Sequence, residues 1–162
     1  MTVKTFDLDL VTLPKIKRKN INGKRYYFQE GVNEPVYYPS VTTVLSADKE
    51  SKKALHEWRQ RVGAAEANKI GRLAAARGTE THDLIERYVK DDGFDSAILA
   101  ASPLGRFLFE PLRNWADGRL GTVRCIEGQL FSHHLRAAGT VDMVAEVDGK
   151  LSIVDWKTSA RA

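Results

Sequence analysis

The amino-acid sequence predicts an α+β protein, with an N-terminal β-hairpin, a helical part and then an antiparallel β-meander. Apolar residues recur at helical spacing between residues 51 and 118, and after Gly121 the pattern changes to the shorter period of strands. Two dipeptides that favour tight hairpin turns, Asn22-Gly23 and Asp148-Gly149, each lie between strand-like segments. Because helices and strands are segregated along the chain, these observations favour the α+β class.

Length and composition suit one domain. The chain has 162 residues, of which 43% are hydrophobic, and this fraction is enough to build a core. We therefore predict a single domain over residues 1–162. It comprises an N-terminal hairpin and extension (1–50), a helical part (51–120) and a β-meander (121–162) that carries the chemistry.

The N-terminal extension begins with a hairpin and ends with a short helix. Strand-like segments at Lys17–Ile21 and Lys24–Phe28 flank Asn22-Gly23, and this arrangement predicts a two-residue turn. Ser40 is a suitable N-cap, because its hydroxyl can accept a hydrogen bond from a backbone N–H of the first helical turn. The helix is expected to continue through Leu45.

Three longer stretches have the apolar spacing of amphipathic helices. They are Ser51–Asn68, Thr79–Lys90 and Pro103–Gly118. Proline suits the first turn of a helix, so Pro103 marks the start of the third stretch. Pro111 lies inside the same stretch and predicts a kink, because proline cannot donate the backbone hydrogen bond of a regular helix.

After Gly121 the sequence predicts three strands. They are Val123–Phe131, Gly139–Val147 and Leu151–Trp156. The Asp148-Gly149 turn makes the second and third strands antiparallel neighbours.

Two carboxylates and an ammonium group converge in this last hairpin. Asp142 and Asp155 each lie six residues from the turn, so they should face each other across the ladder, roughly 5 Å apart at Cα. Lys157 follows Asp155 by two residues and points to the same side. Carboxylates this close repel each other unless a cation lies between them, and Mg²⁺ or Mn²⁺ suits oxygen ligands. The alternative is a surface salt bridge among the three side chains.

Composition excludes several classes of site. Cys125 is the only cysteine, so one chain can form neither an internal disulfide nor a four-cysteine metal centre. No apolar run reaches the roughly 20 residues that a membrane span needs, and the N-terminus does not resemble a targeting signal. We therefore expect no membrane association and a cytoplasmic location, in a bacterium or a phage-infected host cell.

Basic and aromatic residues cluster in the N-terminal hairpin. Six basic residues and no acidic ones occur between Lys15 and Arg25, and tyrosines follow directly. Cations track phosphates while rings stack on bases, so this composition suits single-stranded DNA. The predicted DNA-binding residues are Lys17, Arg18, Lys19, Tyr26 and Tyr27. The alternative is a solvated hairpin with one aromatic face buried.

A helical histidine precedes the carboxylates in the chain. In Gly78-Thr79-x-x-His82-x-x-x-Glu86, the histidine and the glutamate lie four residues apart on one helix face. A single helical histidine is more often a structural residue than a ligand. Here it is followed, in order, by Gly139-Thr140-Val141-Asp142 and by Asp155-Trp156-Lys157-Thr158.

In this combination and order, the motifs resemble the RecB-like branch of the PD-(D/E)XK nuclease superfamily. Within it they are most similar to the mitochondrial genome maintenance exonuclease-like and phage exonucleases. The resemblance covers most of the chain. It runs from Pro39-Ser40-Val41-Thr42, through Trp58 and the His82 helix, to Glu127 and Asp155-Trp156-Lys157-Thr158-Ser159.

The resemblance implies a restriction-endonuclease-like core and metal-dependent hydrolysis of DNA, exonucleolytic and on single strands. By matching positions, it implies a metal site for Mg²⁺ or Mn²⁺, a catalytic lysine and supporting glutamates. The metal ligands would be His82, Asp142, Asp155 and the Trp156 carbonyl, the lysine Lys157, and the supporting residues Glu86 and Glu127. The rival interpretation is a non-catalytic DNA-binding or regulatory remnant of the fold.

The resembling family continues beyond the position that matches Ala162, with a helix bearing Gln-x-x-x-Tyr and a further strand. We therefore expect the chain to be truncated relative to that family. The Leu151–Trp156 strand should then form a sheet edge with exposed apolar side chains, which favours self-association.

Overall fold

The computed structural model describes residues 4–158, and their architecture is α+β, as predicted. The helices are α1 (Val41–Leu45), α2 (Lys49–Val62), α3 (Ala64–Lys90), α4 (Phe94–Ala100) and α5 (Pro103–Arg119). The strands are β1 (Ile16–Ile21), β2 (Lys24–Gln29), β3 (Tyr38–Pro39), β4 (Leu120–Ser132), β5 (Ala137–Val147) and β6 (Lys150–Val154). They form two three-stranded sheets, in the orders β1-β2-β3 and β4-β5-β6.

The described chain divides into two compact units. The core unit contains residues 4–11, Asn68–Ile126 and 142–158, and the hairpin unit contains Thr12–Ala67 and Glu127–Val141. The organisation as a single domain stays a prediction.

The hairpin unit is built on the Asn22-Gly23 turn. Both residues have positive φ, 50° and 73°, which is the backbone of a two-residue hairpin turn. The predicted strands form, and β3 adds to β2 as a third antiparallel strand. One face of this sheet buries Ile16, Tyr27 and Tyr38 around Ala138.

Short caps delimit the helices of the hairpin unit. The Ser40 hydroxyl accepts a hydrogen bond of 3.0 Å from the backbone N–H of Thr43 and begins α1, as predicted. Asp48 caps α2 in the same way through Ser51. Gly63 ends α2 with a φ of 85°, a conformation that glycine adopts without strain.

The predicted boundaries of the next two helices are wrong. The sequence suggested one helix over Ser51–Asn68 and a separate one from Thr79, whereas α3 runs without interruption over Ala64–Lys90. The break lies at Gly63 instead, where φ is positive. The segment between the predicted helices, residues 69–78, contains three alanines and two arginines, which favour helix and outweigh its two glycines.

The core unit packs α3 and α5 onto the sheet. Its centre contains Leu84 and Ile85 from α3, Phe109 from α5 and Met143 from β5, each at most 1% exposed. Trp156 belongs to the same cluster, and its ring makes an edge contact with Trp115 of α5, 5.4 Å between centroids.

The predicted β-meander is confirmed with shifted ends. β4 extends beyond its predicted range at both ends, and β5 extends at its N-terminal end. β6 ends at Val154, two residues before the predicted Trp156. The helix α4 was not predicted, because its seven residues are too few to show a helical period.

Candidate metal centre

The turn between β5 and β6 sets the register on which the candidate site depends. Asp148 and Gly149 have φ values of 49° and 75°, and the ladder pairs Val147 with Lys150 and continues to Met143 opposite Val154. The next pair in this series would be Asp142 and Asp155, as the equal spacing predicts. The ladder ends one pair earlier, so that Asp155 lies just beyond β6.

Asp142 binds the main chain at the end of the hairpin. Its Oδ2 accepts a hydrogen bond of 2.7 Å from the backbone N–H of Trp156. The Asp142 side chain is 15% exposed, and the Trp156 ring is anchored in the core. The position of the carboxylate is therefore fixed by strand β5, which carries Asp142, and by the hydrogen bond from the Trp156 N–H.

His82 of α3 reaches the same peptide unit from the other direction. Its Nε2 lies 2.7 Å from the carbonyl oxygen of Trp156, and its Nδ1 lies 3.5 Å from Oδ2 of Asp142. The imidazole is 27% exposed, so solvent reaches one side of it. The predicted residues His82, Asp142 and Trp156 are thus brought together by tertiary structure.

Glu127 is the second glutamate for which the resemblance implied a supporting role. It lies on β4, at the start of a segment of the hairpin unit. Its φ is 50°, an uncommon value for a residue that is not glycine. The supporting role of Glu127 stays a prediction.

The contacts of His82 bear on whether a cation fits. A carbonyl oxygen only accepts, so the 2.7 Å contact requires a proton on Nε2. In a neutral ring, Nδ1 then presents a lone pair toward the carboxylate of Asp142. The lone pairs of Nδ1 and of Oδ2 of Asp142 repel each other at this distance unless a positive charge lies near both. A proton on Nδ1 or a metal ion would supply that charge. Imidazole and carboxylate together fit a divalent ion such as Mn²⁺.

Asp155 and Lys157 are bonded to each other. Nζ of Lys157 lies 2.7 Å from Oδ1 of Asp155, and the two side chains are 76% and 55% exposed. This is the salt bridge that the sequence offered as the alternative, although it leaves Asp142 out. The role of Asp155 as a metal ligand and of Lys157 in catalysis stay predictions.

Glu86 contacts a different partner from the one its spacing suggested. Its Oε1 accepts a bond of 2.6 Å from Nζ of Lys90, one turn further along α3. The two side chains are partly buried, and the carboxylate of Glu86 is bonded to Lys90 and not to His82. The supporting role of Glu86 stays a prediction.

The five predicted DNA-binding residues fall on two faces of the hairpin sheet. Lys17, Lys19 and Tyr26 share one face, because Lys19 pairs with Tyr26 and strand residues alternate. Arg18 pairs with Tyr27 on the other face, and Tyr27 is 3% exposed. The Tyr27 ring therefore offers little surface for stacking on a base. The DNA-binding role of the five residues stays a prediction.

The edge strand β6 has the exposed apolar side chains that were expected. Leu151 and Ile153 are 68% and 73% exposed, while Val154 faces the core. Self-association through this strand stays a prediction. Within residues 4–158, no helix combines the length and apolar character required to cross a membrane.

Comparison with known proteins adds no relative. A scan against models of protein families finds no match, and a search of curated proteins finds none either.

Proposed function

We propose that this protein is a divalent-metal-dependent nuclease of the RecB-like PD-(D/E)XK type that hydrolyses phosphodiester bonds in DNA. The observation that carries the proposal is the convergence of His82 and Asp142 on the peptide of Trp156. The order of the motifs along the chain supports the same assignment. Exonucleolytic action on single strands, in replication, repair or phage DNA metabolism, rests on the resemblance alone.

The residues assigned to the metal are His82 and Asp142. A bound Mg²⁺ or Mn²⁺ would supply charge that stabilises the developing negative charge on a phosphate and favours deprotonation of a water molecule. The Trp156 carbonyl would orient the imidazole through its contact with Nε2, as carbonyl groups commonly do for histidine ligands.

Lys157 is assigned a role at the phosphate. Its ammonium group is 76% exposed and its only described partner is the half-exposed Asp155. An exposed pair of this kind is weak, so a phosphate oxygen can replace the carboxylate as the partner of Nζ. The lysine would then neutralise charge on the nucleic acid beside the metal centre.

The test is metal binding and cleavage by Asp142→Asn, with Glu146→Gln as the matched control. Glu146 lies on the same strand and the same face, four residues away. In the unmodified protein we expect Mn²⁺ at a hundredfold excess over Kd to stabilise the fold by about 2.7 kcal/mol. Asp142→Asn should lose most of this stabilisation, and cleavage of an end-labelled single strand should fall roughly a hundredfold or more.

The two measurements separate the proposal from its rival. Metal-dependent cleavage that Glu146→Gln retains and Asp142→Asn loses supports the nuclease. If the protein binds DNA equally in Mn²⁺ and in EDTA and cleaves in neither, it is a non-catalytic DNA-binding protein. An identical Mn²⁺ response in both variants would refute the assignment of Asp142.

A further inference from the structure

The sheet β1-β2-β3 has two faces of different character. Side chains alternate along each strand, and the face with Ile16, Tyr27 and Tyr38 is buried in the hairpin unit. The ladder pairs Lys17 with Phe28 and Lys19 with Tyr26, which places these four on the opposite face. On this second face the lysines are exposed and the two rings are half-buried.

Lysines and aromatic rings make up most of the open face. Ile21 pairs with Lys24 and Tyr26 with Pro39, so the same face continues to the turn and onto β3. We call this surface the basic-aromatic face. Its residues are Lys17, Lys19, Lys24, Tyr26, Phe28 and Tyr37.

The rings of this face are partly exposed and close together. Phe28 and Tyr37 are 5.3 Å apart between centroids, tilted by 43°, and Tyr37 is 38% exposed. Nζ of Lys19 lies 5.8 Å from the centroid of the Tyr37 ring. Tyr26 is half-buried, so part of its ring is also accessible. A flat group can therefore stack here beside a cation.

The charge of the hairpin is not balanced by its own residues. Between Thr12 and Gln29 the sequence contains six lysines and arginines and no aspartate or glutamate. The one described ion pair on the open face joins Lys17 to Glu30, whose side chains are 57% and 48% exposed. An exposed pair of this kind is weak, and a phosphate can displace the glutamate. The surface thus complements a polyanion.

We infer that the basic-aromatic face binds single-stranded nucleic acid, with bases stacked on Tyr26, Phe28 and Tyr37 and phosphates beside the lysines. Stacking on aromatic side chains requires exposed bases, which a duplex does not offer, and it tolerates any base sequence. This inference deepens the proposed function by assigning the surface that holds the substrate strand. It concerns binding alone and requires no metal ion.

The sharpest test compares two neighbouring residues of β1. Lys19→Gln and Arg18→Gln each remove one positive charge from an exposed side chain, but only Lys19 lies on the basic-aromatic face. Binding to a labelled oligothymidylate is measured by fluorescence anisotropy in EDTA, over a range of salt concentrations. Lys19→Gln should weaken binding and reduce the log–log salt slope by about 0.7, whereas Arg18→Gln should leave the slope unchanged.

Two further variants probe the rings and the ion pair. Tyr37→Leu keeps an apolar side chain and removes the stacking surface, so affinity for the single strand should fall roughly tenfold. Glu30→Gln frees Lys17 and should strengthen binding. Thermal melting of each variant shows that the fold is retained.

Equal effects of Lys19→Gln and Arg18→Gln would overturn the inference, as would binding of a duplex as tightly as a single strand. Because the assay contains EDTA, its outcome is independent of the metal centre. Binding without any metal-dependent cleavage supports the face and refutes the nuclease, while cleavage that Lys19→Gln and Tyr37→Leu leave unchanged refutes the face alone.

Discussion

Two antiparallel hairpins of this protein are closed by the same kind of turn but expose different surfaces. In β1–β2 the turn residues are Asn22 and Gly23, and in β5–β6 they are Asp148 and Gly149. All four have φ between 49° and 75°. This backbone matches the right-handed twist of the strands, and each turn therefore imposes a residue-by-residue register without help from distant parts of the chain.

The hairpins differ in what remains available once one face is buried. In β5–β6 the inner face carries Met143 and Val154, and the polar atoms of Asp142 lie at the end of the ladder. In β1–β2 the inner face carries Tyr27, and most residues of the outer face are lysines and aromatic rings. The register determines which residues pair, but not which side chains are exposed. Packing buries one of the two alternating sets of side chains, and the other set remains available to bind a ligand.

The largest effect that tests this comparison is a truncation on the inner face of β5. Met143→Ala removes a side chain that is completely buried in the core unit and should cost about 2–5 kcal/mol of unfolding free energy. The matched change on the outer face is Ile153→Ala, at a position 73% exposed on the neighbouring strand, and it should cost less than about 0.5 kcal/mol. Urea unfolding measures both, and similar costs would contradict the assignment of the faces.

Local chemistry was sufficient to predict the hairpins. The Asn-Gly and Asp-Gly dipeptides located both turns. Equal distances from Asp148-Gly149 predicted the register that the ladder follows from Val147 opposite Lys150 to Met143 opposite Val154. The Ser40 cap was predictable for the same reason, since its hydrogen bond spans three residues. Each of these features depends on neighbours in the sequence.

Features that depend on tertiary contacts could not be predicted in detail. The sequence identified His82 and Trp156 through a family resemblance, but the contact between Nε2 and the carbonyl joins residues 74 positions apart. Similarly, the outward face of β1–β2 is recognisable only after β3 has formed and Tyr38 has been buried beside Tyr27. Alternation divides a strand into two sets, and only packing determines which set faces outward.

A smaller effect should show that the two turns are equivalent. Gly23→Ala and Gly149→Ala each introduce a Cβ with no atom within 4 Å, so the cost is conformational and arises from positive φ. We expect a loss of roughly 1–2 kcal/mol at each position. Gly71→Ala is the control, because Gly71 lies within α3 and also has open space around it.

The control should change stability in the opposite direction. Alanine has the higher helix propensity, so Gly71→Ala should stabilise the protein by about 0.5–1 kcal/mol. Chemical unfolding of the three variants gives the values. A cost at one turn but not at the other would show that the two hairpins do not share the backbone on which the comparison rests.

The smallest effect concerns the one charged residue among the four turn positions. Asp148 bonds to the guanidinium of Arg119, and this hydrogen bond holds the pKa of the Asp148 carboxyl below its usual value of 3.8. A carboxylate whose pKa is lower in the folded state contributes stability above the unfolded pKa, and the contribution is lost as the pH falls through the folded pKa. Asn22 has no such group, so only the β5–β6 turn should respond to acid.

Asp148→Asn isolates this response. Asparagine tolerates the positive φ of 49°, and the backbone bond of 3.1 Å from the Asp148 N–H to the Arg119 carbonyl does not involve the side chain. The substitution therefore removes the charge and keeps the turn. Both side chains are about half exposed, so the pair is screened by solvent and the fall in Tm at neutral pH should be small.

Melting of the two proteins at neutral pH and at about pH 3 should show the difference in Tm shrinking in acid, because protonation removes the same charge from the parent. A difference that persists unchanged in acid would place the contribution of Asp148 in the turn backbone, and the two hairpins would then be alike in this respect as well.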